Sequence, residues 1–245
     1  MGVRAPAAAP APPKAETILD QYVEATGGRA AYKKVHNEIT TGTMEFVGKG
    51  LKAALTSYKA EGGKSYNLAE IPGVGKIEQG TDGEVAWERS ALQGPRIKQG
   101  EERAAALREA AFNADWRDLF KKAELAGEED VDGTACYKVI LTPNEGRPET
   151  RYYDKKTHLL VKASKIVKTA MGEIPAEIAV SEYKAVNGIL SATKVRQVAI
   201  GQEFLITISS IEYNAGLPGN RFDLPDDVKA LLEKSNGAGK AATSK

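Results

Sequence analysis

Few residues in this chain could carry covalent chemistry, and their spacing does not assemble them. Cys136 is the single cysteine, and His36 and His158 are the only histidines. A thiol nucleophile needs a general base within hydrogen-bond reach. No histidine is local to Cys136, which lies in a strand-like run beside Tyr137 and reads as a buried structural thiol. One cysteine can form neither an internal disulfide nor a multi-cysteine metal site. Neither histidine has further ligands at metal-site spacing, so no metal is expected. The acidic run Glu128-Glu129-Asp130-Val131-Asp132-Gly133 begins like a calcium loop but lacks the bidentate glutamate at the twelfth position, and reads as a solvated approach to a turn. Gly73-Val74-Gly75-Lys76 lacks the spacing and the following helix of a phosphate loop and reads as a turn; Gly94-Pro95-Arg96 reads as a loop. A hydrolase would draw on Asp82 or Asp115, and nothing pairs either of them with a second acid or base. The expectation is no catalytic residue, no metal and no cofactor.

Composition narrows the partners. The chain has 245 residues, 34 basic and 33 acidic, with a formal net charge of +1. That balance argues against a nucleic-acid binder, which shows a basic excess. No window of about 18 apolar residues exists to form a transmembrane helix. Residues 1–14 are Ala/Pro-rich and lack the apolar stretch of a secretory signal. Pro6 also removes the Ser or Thr of a myristoylation site. This segment is expected to be a disordered, stiff leader, either the stub of a removed signal or anchor or an ordinary terminus. Residues 15–234 read as one folded domain and 235–245 as a disordered tail. Basic pairs such as Lys33-Lys34, Lys121-Lys122 and Lys155-Lys156 are scattered. They read as surface charge, with peripheral contact to anionic membranes as the alternative. A monomer is expected.

The remaining residues fall into two periodicities. Ala15 to Thr26 is a helix, with Ile18, Leu19, Tyr22 and Val23 on one stripe and Gly27-Gly28 ending it. A second helical turn follows over Ala30 to Val35. From Asn37 the period changes to two, giving strands over 40–47, 51–59, 64–71, 75–79 and 84–88. Gly100 to Lys122 is helical in composition; Leu107, Ala110, Ala111 and Ala114 form a stripe continued by Phe112, Trp116, Leu119 and Phe120, with Asn113 or Asp115 as an internal cap. Strands return over 135–142, 150–154, 159–168, 174–183, 190–200 and 203–213, with Asn187-Gly188 suited to a type I′ hairpin. A short helix over Asp226 to Glu233 closes the chain. No helix separates consecutive strands within either run, so the sheet is antiparallel, curved and covered by helices on its concave side. Ile174, Ala176 and Ile178 share one apolar face; Phe204, Ile206 and Ile208 share another. Either the helices fill the hollow completely, or a cavity for an apolar ligand remains.

The layout resembles the LolA/LolB superfamily of bacterial lipoprotein carriers. The resemblance rests on the opening helix Ile18 to Gly28 and the Thr41-Gly42-Thr43 strand. It rests also on the Gly80-Thr81-Asp82-Gly83-Glu84-Val85-Ala86-Trp87 hairpin and the closing Phe222-Asp223-Leu224-Pro225. It extends to periplasmic relatives and to domains attached to pitrilysin-type zinc peptidases, whose His-x-x-Glu-His site this chain lacks.

The resemblance implies a mainly β, α+β fold: an unclosed antiparallel barrel of about eleven strands, an N-terminal helix and inserted plug helices. It implies a periplasmic, non-enzymatic binder or carrier of a lipid, a lipoprotein acyl chain or another apolar ligand. The alternative is an interaction module with a filled core, held to an envelope complex or peptidase. The apolar cavity is expected to be lined by Met44, Phe46, Leu55, Trp87, Ile178, Phe204 and Ile206. Leu107, Phe112, Trp116 and Leu119 are its expected lid.

Overall fold

The computed structural model describes residues 12–112, 115–169 and 172–242, with side chains described as far as residue 234. Most of the leader, Asn113, Ala114, Ala170, Met171 and the side chains of the tail lie outside the described residues. The first run of alternating residues forms β1 (Asn37–Phe46), β2 (Leu51–Ala60), β3 (Lys64–Ile71), β4 (Gly75–Thr81), β5 (Ala86–Ser90) and β6 (Gly94–Ile97). The second forms β7 (Phe120–Val131), β8 (Thr134–Pro143), β9 (Glu149–Asp154), β10 (Leu160–Thr169), β11 (Gly172–Val186), β12 (Ile189–Ala199) and β13 (Gln202–Tyr213). All thirteen belong to one antiparallel sheet of order β6-β5-β4-β3-β2-β1-β13-β12-β11-β10-β9-β8-β7. Each run is a meander, and the single pairing of β1 with β13 joins the two. The sheet does not close, so β6 and β7 are its edges. The chain crosses from one edge to the other through α3 (Gly100–Ala110) and α4 (Trp116–Leu119).

The strand count exceeds the expected eleven, and the two unexpected strands are the two edges. Residues 94–96 read as a loop because proline donates no hydrogen bond. Pro95 pairs opposite Arg89 on a strand with only one neighbour, where a missing donor is tolerated. Residues 120–131 read as a helix end and a solvated acidic stretch because Lys, Glu, Ala and Leu are helix formers. Two register shifts, at Phe120/Lys122 and Leu125/Gly127, also break the period of two. Charged side chains along such an edge oppose pairing with another sheet.

The hairpin chemistry follows the sequence. Asn187 and Gly188 both have positive φ, 49° and 82°, as a type I′ turn requires. Gly42 sits at the register shift between β1 and β13, where an added Cβ would stand 2.3 Å from the Thr207 carbonyl oxygen. Only glycine permits that approach.

Two layers of cover follow from the side-chain alternation. On the inner face, α1 (Ala15–Ala25) buries Ile18 and Leu19 against Phe120, Val139, Leu141 and Tyr153. Thr26 ends this helix, its hydroxyl donating to the Tyr22 carbonyl at 2.9 Å, before α2 (Gly28–Tyr32). The terminal segment goes to the other side. Register places Tyr58, Tyr66 and Trp87 on the face opposite Leu55 and Ser57. There the Arg221 guanidinium lies 4.4 Å from the Tyr58 ring centre and 5.2 Å from that of Tyr66. Arg89 bridges Glu78 and Asp227, the latter in α5 (Asp226–Ala242). The expectation that helices pack only on the inner face is therefore corrected for α5, which also runs past the expected end at Glu233.

Candidate functional site

Along the inner face, β1, β2, β4, β11 and β13 present Met44, Leu55, Ile77, Ile178, Ile206 and Ile208 toward one hollow of about 850 Å³. The volume falls in the range of ligand-binding cavities. Helix α3 roofs it with Ala105, Ala106 and Ala110, side chains too short to fill the space beneath. This helix touches β4 and β5 on one arm of the sheet and β10 on the other.

Ion pairs fasten the roof to both arms. Arg96 of β6 donates from both terminal nitrogens to Glu102, at 2.7 and 2.6 Å, and from Nε to Glu88 at 2.7 Å. On the opposite arm, Lys165 of β10 donates to Glu109 at 2.5 Å. Glu109 lines the hollow and is 60% exposed. Partial burial raises its carboxyl, but Lys165, with Lys98 and Lys59 behind it, more than offsets this and holds the group below the usual range. The hollow thus has an apolar floor and a belt of charge under its roof.

A smaller hollow of about 410 Å³ lies between α1, α4 and β9. Its walls are aromatic: Tyr22, Tyr32, Phe112, Trp116, Phe120 and Tyr153. Lys59 and Glu109 border both hollows. The Tyr153 hydroxyl is fully buried with no hydrogen-bond partner among the described residues, and burial pushes its pKa up. Arg151 donates to Glu149 at 2.7 Å and sits 5.2 Å from the Phe120 ring centre, so its charge is neutralised in place.

The wall formed by α4 is latched by charge. Asp115 caps α4 by accepting from the Arg117 backbone N–H at 3.0 Å and pairs with Arg29 of α2. Asp20 of α1 accepts from Arg117 at 2.7 Å, from the Trp116 indole at 3.1 Å and from Arg29 at 3.1 Å. The Arg117 hydrogen bond is the main reason the Asp20 carboxyl titrates at about 2, against an ordinary value of 3.8. Its charged form is therefore the one the folded state favours. The stability it contributes is complete above the ordinary value and is lost as pH falls from about 4 toward 2. Asp20→Asn should flatten that part of the acid transition; following tryptophan emission against pH in both proteins checks it.

The residues expected at a site divide among several places. Met44, Leu55, Ile178 and Ile206 stand on the floor of the larger hollow. Phe112, Trp116 and Leu119 line the smaller one. Trp87 borders the larger hollow, but it pairs opposite Gly80 and its ring packs beside Tyr66, with Arg89 at 5.9 Å. Leu107 borders neither hollow. Phe46 and Phe204 stack edge-to-face on each other, 5.1 Å apart, also outside both. The belt residues Glu109 and Lys165 carried no sequence signal: they lie 56 positions apart, and only the fold joins them.

The groups weighed for covalent chemistry have other surroundings. Cys136 is buried against Val131 and Tyr152, and burial, with Asp154, Asp130 and Glu129 nearby, pushes the thiol up to about 11. His36 pairs with Glu61 at 3.0 Å on the surface. Asp82 accepts from the backbone of Glu84 and Val85 in its turn. Among the described residues no three His, Cys, Asp or Glu side chains gather as a metal site.

No protein-family model matches the chain, and no curated protein does. Solved structures do. A DUF1329 family protein from Desulfovibrio piger aligns with a TM-score of 0.59 at 20% identity, over 85% of this chain and 97% of the other. A LolA superfamily protein from Nitrosomonas europaea aligns at 0.59 and 13% identity, over 87% and 99%. The chain has the LolA-type fold. A Vibrio parahaemolyticus domain named for outer membrane lipoprotein sorting agrees, with a TM-score of 0.56 at 14% identity over 89% and 99%. In this LolA-type chain the inner face holds the two hollows described above, roofed by α3 and walled by α1 and α4.

Proposed function

We propose that the protein binds and carries a lipid, a lipoprotein acyl chain or a similar apolar ligand in the larger hollow, with no chemistry performed on it. One observation carries the reading: a space of about 850 Å³ remains over a floor of aliphatic side chains, beneath a roof of alanines. Moving an acyl chain from water into such a space gains about 0.8 kcal/mol per methylene. A chain of about sixteen carbons then gains on the order of 10 kcal/mol before the costs of association. Affinity of that size requires no catalytic group. Met44, Leu55, Ile178 and Ile206 would contact the chain, and α3 with α4 would form the lid. The LolA-type fold supports the reading, as does the name of the lipoprotein-sorting domain among the similar structures. The periplasm is the compartment the sequence resemblance implies, and no described helix is long and apolar enough to cross a membrane.

The filled-core interaction module has less support, because its premise is an interior without free volume. Organic extraction of the purified protein, followed by mass spectrometry, tests the main reading together with titration of a fluorescent acyl probe. Co-purifying lipid, or saturable probe binding displaced by a fatty acid, is the expected result. Protein free of lipid that also fails to bind the probe overturns it.

A further inference from the structure

The floor of the larger hollow changes chemistry along the strands. Strand register aligns its inner-face residues in rows that run across β1 to β4. One row brings Leu55, Ala69 and Ile77 together, and Met44 with Ile206 continues the apolar surface beyond it. The neighbouring row is polar throughout: Thr40, Ser57, Asn67 and Gln79. Rows on one face lie about 7 Å apart, so the floor passes from polar to apolar in a single step. The polar part lies toward the β2–β3 turn.

That polar part offers donors. The Ser57 hydroxyl donates to the Asn67 side-chain oxygen at 2.7 Å, and the Lys98 ammonium to that of Gln79 at 3.0 Å. Both amide oxygens are therefore occupied, while the amide N–H groups have no partner among the described residues. Lys59 stands one row nearer the turn and borders both hollows. Glu38 lies opposite it on β1 but accepts from Thr40 at 3.0 Å, and Lys59 forms no ion pair with it or with any other described carboxylate. The four carboxylates lining the hollow, Glu101, Glu102, Glu109 and Glu149, are each paired with an arginine or a lysine. Lys59, Arg108 and Lys168 line it too, and among the described residues none of the three has a carboxylate partner. Cations are left over, and carboxylates are not.

We infer that the ligand of this hollow is an alkyl chain ending in an anionic headgroup, a carboxylate or a phosphate, whose oxygens accept from Lys59 and from the Asn67 and Gln79 amides. The inference rests on the apolar-ligand reading given above and adds to it the ligand's polar end and its direction. The headgroup sits toward the β2–β3 turn, and the chain runs over Leu55, Ile77 and Ile206. Seating a neutral ligand would strip water from the Lys59 ammonium without matching its charge, a cost that an anion offsets. Hydrogen bonds to an ionised acceptor are also roughly twice as strong as neutral ones.

Displacement of a fluorescent acyl probe from the full chain tests it. The competitors are palmitate, hexadecyl phosphate and hexadecanol, equal in chain length and kept below their aggregation concentrations. At least one of the anions should displace the probe about tenfold better than the alcohol does. The better of the two identifies the headgroup. Lys59→Met should narrow that advantage to less than about threefold, whereas Lys59→Arg, which keeps the charge, should retain most of it. The comparison of ligands on the parent protein holds whether or not Lys59→Met folds, and circular dichroism reports its folding. Hexadecanol that competes as well as both anions overturns the inference and leaves the apolar-ligand reading standing. An anion advantage that a folded Lys59→Met keeps at full size does the same. Failure of the probe and of every competitor to bind overturns both.

Discussion

Ile206→Trp combined with Ala106→Trp should weaken acyl-chain binding on the order of a hundredfold while the protein stays folded. Both positions border the larger hollow, one on its floor and one on its roof. Added bulk there enters open volume and meets no close-packed neighbour, so the overpacking penalty of a filled core does not apply. The ligand loses the space. Excluding about four methylenes costs about 3 kcal/mol, on the order of a hundredfold in affinity. Probe titration reads the loss, and an unchanged melting temperature shows that the fold survives. A double variant that binds like the parent would place the ligand elsewhere in the molecule.

Leu141→Ala should be among the most damaging single substitutions for stability. Leu141 is 0% exposed and belongs to the cluster that holds α1 and the start of β7 to the inner face. Removing such a side chain leaves a cavity as well as losing its transfer energy, at a typical cost of about 2–5 kcal/mol. That is a large fraction of the roughly 5–15 kcal/mol that keeps a domain folded. A urea melt should show a lower midpoint with an unchanged slope. Loss of less than about 1 kcal/mol would mean that α1 packs more loosely than the cluster indicates.

The centre of the sheet was legible in the sequence and its borders were not. Strands such as β13 announce themselves because Phe204, Ile206 and Ile208 face one way and Glu203, Thr207 and Ser209 the other. Edge strands face different requirements. β7 tolerates Lys121, Lys122, Glu128 and Glu129 because half of its backbone has no neighbour, and β6 tolerates Pro95 for the same reason. Alternation also identified the floor of the hollow, since Ile178 and Ile206 are apolar positions on inner faces. It could not tell Phe204 from Ile206, which share a face but differ in distance from the end of the strand. The charged belt was invisible, because Glu109 and Lys165 look like ordinary surface residues until α3 meets β10.

Thirteen strands in this arrangement make twelve pairings, and none of them spans the gap between β6 and β7. The arms of the sheet meet across that gap through a helix fastened by side chains: Arg96 with Glu102 on one side and Lys165 with Glu109 on the other. Widening the interior therefore ruptures a few ion pairs and no backbone ladder. An apolar ligand held there as proposed would load this clasp of side chains and leave the twelve main-chain pairings intact whatever its girth. Amide exchange should register each change of occupant in α3 while the central strands stay silent.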